Sequence, residues 1–163
     1  MIKEHIVGKF DDELTRIKSE ILEMGELVGN QIKEAMDALL SFNTEGVDAL
    51  VKTDRTINGM NKKINTHAEQ LIAMRQPMAL DLREALLATS IASELERLGD
   101  YAKSTAKKVR KLSENSSGEA ALALLGNMGE IVMDMLRNVL KAYEKNDIEA
   151  AAEIRIKDVE VDE

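Results

Sequence analysis

Ser93-Glu94-Leu95-Glu96-Arg97-Leu98-Gly99-Asp100 sets two acids, Glu96 and Asp100, four residues apart beside a run of apolar positions. In a helix that spacing stacks both carboxylates on one face, about 40° apart around the axis. Glu94 falls about 160° from Glu96 and does not belong to the pair. Like charges at this spacing destabilise a helix, so something must offset them: a lysine or arginine, water, or a cation.

The surrounding chain is helical by composition. Its 163 residues suffice for one compact domain, with 44% hydrophobic and 32% charged residues, one proline and no tryptophan. Alanine, leucine, methionine, glutamate and lysine abound, while aromatic and strand-type runs are nearly absent. The absence of cysteine excludes disulfides and thiolate metal sites, and fits a cytoplasmic protein. A net charge of −8 argues against broad nucleic-acid binding, which needs a basic face. No apolar stretch reaches membrane-spanning length and the N-terminus has no signal core, so any membrane association is peripheral.

Working outward, the periodicity predicts five helices. Phe10, Leu14, Ile17, Ile21, Met24 and Val28, continued by Ala35 and Ala38, form the 4-3-4-3 ladder of a bundle helix from about Asp11 to Phe42. Asn43-Thr44 breaks it, with Thr44 as the expected cap of a second helix from about Glu45 to Arg75. That helix carries an apolar stripe (Leu50, Ile57, Ile64, Leu71) and a polar one (Asp54, Asn58, Asn61, Asn65). Gln76-Pro77 ends it and opens a third helix, about Met78 to Leu112. Its expected core seam is Ile91, Leu95, Leu98, Ala102, Thr105, Val109 and Leu112; Leu82, Leu86, Thr89, Ser93, Glu96, Asp100 and Lys103 lie beside it. A fourth helix is expected from Glu119 to Lys145, with Leu125, Met128, Val132, Met135 and Val139 on its inner face, and a fifth from Ile148 after an Asn146-Asp147 turn.

Met24-Gly25-Glu26-Leu27-Val28 recurs as Met128-Gly129-Glu130-Ile131-Val132, and Asp54 and Asn58 fall on Asp158 and Asp162 at the same offset. A repeat this long fits a duplicated three-helix bundle rather than a solenoid. The expected fold is therefore all-α, tandem three-helix bundles with the second incomplete: 1–113 the first bundle, 114–118 a linker, 119–163 the start of the second. On this reading the chain is a fragment, and the apolar faces of its last two helices call for another chain or a homodimer.

If the second and third helices are antiparallel about Pro77, Asp54 faces Asp100 and Asn58 faces Glu96. Four oxygen-bearing side chains then converge on one groove, a donor set for magnesium, calcium or manganese that also suits iron or zinc. The plainer alternative is a solvated face neutralised by Lys103 and Arg97. His5 and His67 lack ligand spacing and read as ordinary surface or interface residues. No nucleophile motif or phosphate loop is evident, so an enzyme is not expected.

These residues together resemble the PhoU family of bacterial phosphate-signalling regulators. The resemblance covers essentially the whole chain and rests on His5–Leu14, Arg75-Gln76-Pro77-Met78-Ala79-Leu80-Asp81-Leu82-Arg83, Glu94–Asp100 and the internal repeat. It implies a metal ion, divalent or trivalent (Mg, Mn, Fe or Zn), held in the first bundle by Asp54, Asn58, Glu96 and Asp100, with Asp158 and Asp162 as half of a second site. Asn58 departs from the acidic form of the motif and brings no charge. The resemblance also implies negative regulation of the phosphate-starvation response. In that role the protein is an adaptor between the ATPase subunit of the high-affinity phosphate transporter and a sensor histidine kinase, with Asp81 and Arg83 as candidate partner contacts. Two other readings stand beside it: a metal-binding hydrolase or metal buffer, and a purely structural helical dimer.

Overall fold

A computed structural model describes residues 2–75, 80–112 and 118–157. Five helices form, α1 (Ile2–Ser41), α2 (Val47–Arg75), α3 (Leu80–Leu112), α4 (Glu119–Lys145) and α5 (Ile148–Lys157), and no strand occurs among the described residues. The expected all-α class is the observed one.

α1 begins nine residues ahead of the expected Asp11. Gly8 is the weakest helix former in that stretch, and its cost of about 1 kcal/mol does not stop a helix that continues into a strong ladder. The far end closes at Phe42, whose φ of 50° is left-handed. The Asn43 N–H then donates to the Ala38 carbonyl at 3.1 Å, satisfying one of the orphan acceptors of the last turn. Asn43 Oδ1 accepts from the Glu45 N–H at 2.9 Å, a local turn that delays the next helix. α2 therefore starts at Val47, whose N–H donates to the Thr44 carbonyl at 3.3 Å, while the Gly46 carbonyl accepts from the Ala49 and Leu50 N–H groups at 3.1 Å.

α1, α2 and α3 share one core. Phe10, Ile17, Ile21, Met24 and Val28 from α1 are buried against Ile57, Ile64 and Leu71 of α2, as the periodicity predicts, while Leu50 is buried with Ala35 of α1 and Ala102 and Ala106 of α3. Leu95, Ala102 and Val109 of the expected α3 seam are buried, and the rest of the seam is shifted. Its buried residues are Ala85, Ala88, Ala92, Leu95, Ala102, Ala106 and Val109, while Ile91, Leu98, Thr105 and Leu112 are half-buried. Small side chains let α3 approach its neighbours, and the larger ones flank the contact. Gly99 marks the closest point: a Cβ there would stand 3.1 Å from Gln31 Oε1 and 3.2 Å from Ile57 Cδ1.

α4 lies antiparallel along α1, with Gly25 against Leu140 and Gly29 against Leu136. A Cβ on Gly25 would meet Leu140 at 2.6 Å, so glycine sets this spacing too. The face of α4 that packs is Gly129, Leu136, Leu140 and Tyr143, not the expected one, where Leu125, Met128 and Val139 are exposed. Lys18 of α1 donates to Asn146 Oδ1 at 3.1 Å and lies 5.4 Å over the Tyr143 ring, fastening the end of α4. The Asn146-Asp147 turn forms as expected: Asn146 is left-handed (φ 54°), and Asp147 Oδ1 caps α5 by accepting from the Ala150 N–H at 3.0 Å. α5 packs against α4 alone among the described helices. No described helix is long and apolar enough to cross a membrane.

Candidate functional site

The antiparallel register of α2 and α3 brings Asp54 and Asp100 of the first acidic set together, with a lysine between them, and no described contact joins Asn58 to Glu96. Asp54 sits at the edge of the α2 apolar stripe and is buried, at 5% exposure. The Lys103 ammonium reaches across from α3 and donates to Asp54 Oδ2 at 2.8 Å. It also donates to Asp100 Oδ1 at 2.5 Å within its own helix. Asn58 contributes a weak bond, its Nδ2 donating to Asp54 Oδ2 at 3.4 Å. One cation thus bridges two carboxylates from two helices, and charge-assisted bonds of this kind are roughly twice as strong as neutral ones.

The electrostatics follow from this geometry. The hydrogen bond from Lys103 outweighs desolvation and holds the Asp100 carboxyl below its usual range. The bonds to Asp100 and Asp54 in turn raise the Lys103 ammonium above the ordinary lysine range. Glu96 lies one turn before Asp100 and is half-buried. Arg97, expected to help neutralise the pair, turns instead to Glu94, with Nη1 donating at 3.0 Å on the exposed side.

A metal ion held by Asp54 and Asp100 would have to occupy the place that the ammonium holds. No group of three or more acidic or histidine side chains able to hold a metal forms among the described residues. As arranged, the first set does not fit the implied metal; it already contains its cation. Asp158 and Asp162 lie outside the described residues. Asp81 and Arg83 are both exposed on the first turn of α3, and no ion pair joins them among the described contacts. A cleft of about 610 Å³ lies between α1 and α4, away from all these acids.

Sequence reasoning missed a second charged cluster. Glu20 of α1 is 7% exposed and takes three partners: Arg16 at 3.3 Å, Lys63 at 3.0 Å and His67 Nδ1 at 2.8 Å. Desolvation by burial pushes the Glu20 carboxyl upward, but the bonds from His67 and Lys63 outweigh it and leave it below its usual range. The Arg16–Glu20 spacing of four is visible in the sequence. The α2 partners are not, because they depend on the register between two helices. His67, expected at the surface or an interface, is an inter-helix partner.

Comparison with known proteins adds a relationship along the whole chain. The family model described as "PhoU domain" matches residues 21–109 and 125–163. A Caulobacter vibrioides protein named "Phosphate-specific transport system accessory protein PhoU homolog" is 34% identical over 160 residues, covering 98% of this chain and 70% of the relative. The crystal structure of the phosphate transport system regulatory protein PhoU from Streptococcus pneumoniae is similar at a TM-score of 0.87 and 32% identity, covering 94% of this chain and 72% of that one. PhoU from Pseudomonas aeruginosa gives a TM-score of 0.89 at 29% identity, covering 94% and 73%.

Proposed function

The chain belongs to the PhoU family, and from that premise we propose that it is a regulatory accessory of a phosphate transport system that works by contact rather than by catalysis. In this reading it represses the phosphate-starvation response by linking the transporter's ATPase subunit to a sensor histidine kinase on the cytoplasmic side. The observation that carries the proposal is the 34% identity to a named accessory protein over 98% of the chain. The fold is in keeping with it: rigid helices with exposed charged turns suit a docking module. Asp81 and Arg83, exposed where α3 begins, are the contacts of choice. No metal-dependent step enters the proposal.

The division into a first bundle (1–113), a linker (114–118) and the start of a second repeat (119–163) belongs to the same reading. The two matched family segments begin at 21 and 125, which keeps the offset of the internal repeat. The exposed Leu124, Leu125, Met128 and Val139 of α4, with Ile148 and Ile156 of α5, form the face that a further helix or a second copy would cover.

The test is a phosphate-starvation reporter in cells lacking the endogenous regulator, read alongside binding of the purified ATPase and kinase. Asp81→Arg/Arg83→Glu should fold normally by circular dichroism, lose partner binding and release the reporter in phosphate-rich medium. Full repression by a folded double variant would remove these two residues from the contact. Absence of repression by the unaltered chain would remove the function.

A further inference from the structure

The acids of the α2–α3 groove face a question that the family relationship does not answer: which cation they serve. We propose that Lys103 is the resident cation of this groove, that the native protein takes no divalent metal ion there, and that neutralising Lys103 converts the groove into a divalent-cation site.

Geometry carries the first half. The Lys103 ammonium is bonded to one oxygen of each acid, Asp54 Oδ2 at 2.8 Å and Asp100 Oδ1 at 2.5 Å. The lysine and Asp54 side chains are 22% and 8% exposed, so both ends of the Asp54 bond are largely shielded from water. A divalent ion bridging the same oxygens would stand beside a positive charge. It would enter only by forcing the ammonium out of a bonded, part-buried position. The Asn58 amide also points its Nδ2 at Asp54 Oδ2, so this carboxylate oxygen receives two donors already.

The same arrangement carries the second half. The lysine is the one cation bonded to either acid among the described contacts. Arg97, the other candidate, is committed to Glu94. Replacing the lysine by a neutral side chain of similar length leaves Asp54 and Asp100 facing each other with their charge unmatched. Glu96 stands one turn away. With the ammonium gone, two carboxylates completed by water are a donor set that Mn²⁺ or Mg²⁺ accepts.

The experiment uses the full chain, freed of metal with a chelator and titrated with Mn²⁺ while free Mn²⁺ is followed by electron paramagnetic resonance. Lys103→Met should bind one ion at least about tenfold more tightly than wild type, which corresponds to about 1.4 kcal/mol. The gain should vanish in Asp54→Asn/Lys103→Met. Wild-type binding as tight as that of Lys103→Met, and lost in Asp54→Asn, would overturn the proposal. So would a folded Lys103→Met with no gain. A second measurement needs no variant. Reductive methylation of wild type, read by mass spectrometry, should modify Lys103 slowly and at the same rate with and without saturating Mn²⁺. A rise of about tenfold on adding Mn²⁺ would show the ammonium displaced and the proposal wrong.

Discussion

Two charged clusters lie in the same three-helix bundle and solve opposite problems. In the α2–α3 groove one lysine serves two acids, Asp54 and Asp100. In the α1–α2 seam one acid, Glu20, is served by Arg16, Lys63 and His67. The groove is short of positive charge and depends on a single ammonium. The seam has cations to spare, and two of them, Arg16 and Lys63, are more than half exposed. Losing one partner should therefore hurt the groove more than the seam, because an exposed cation returns to water while a buried Asp54 cannot.

That asymmetry is open to measurement. The largest effect is expected for Lys103→Met, which strands Asp54 and should cost about 3 kcal/mol in urea denaturation, the lower end of the range for breaking a buried pair. Asp54→Asn/Lys103→Met should recover most of it. A smaller loss is expected for Glu20→Gln, about 1.5 kcal/mol, the scale of hydrogen bonds to a charged group. If Glu20→Gln proves the costlier change, the contrast between groove and seam is inverted.

The two clusters also differ in pH response. Lys103 is raised in the folded state, so its contribution is fully present below the unfolded lysine value of about 10.4 and is lost as pH rises through the folded one. Glu20 is lowered, so its contribution is present above the unfolded carboxylate value of about 4.3 and is lost as pH falls through the folded one. The stability difference between wild type and Lys103→Met should shrink at alkaline pH, and that between wild type and Glu20→Gln at acid pH. Thermal melts across both ranges check this; equal behaviour of the two differences would erase the distinction. The smallest effect belongs to the exposed Glu94–Arg97 pair. Arg97→Ala should leave the melting temperature unchanged within error, since surface pairs contribute little.

The helices and two of the three core stripes were legible because large apolar residues recur every three or four positions on α1 and α2. The α3 seam was legible only in part, at Leu95, Ala102 and Val109. The rest of that packing surface is alanine and glycine, and a reading weighted by apolar size selects Ile91 and Leu98 one step around the helix from Ala92 and Gly99. The exposed face of α4 was misread for a related reason: its inner face includes Gly129 and its outer face carries Met128 and Val139. Within the groove, Asp54, Asp100 and Lys103 were legible because two lie on one helix three residues apart and the third follows from antiparallel register. The Glu20 cluster needed a register between α1 and α2 that no single-helix pattern encodes.

Among the described helices α5 has one neighbour, and this bears on how the molecule opens. The described stretch, Ile148–Lys157, draws its packing from α4 alone among the described helices. α1, by contrast, is gripped by α2, α3 and α4 together. Amide protons of α5 are therefore expected to exchange through a more local opening than those at the middle of α1, which wait for the whole bundle to come apart.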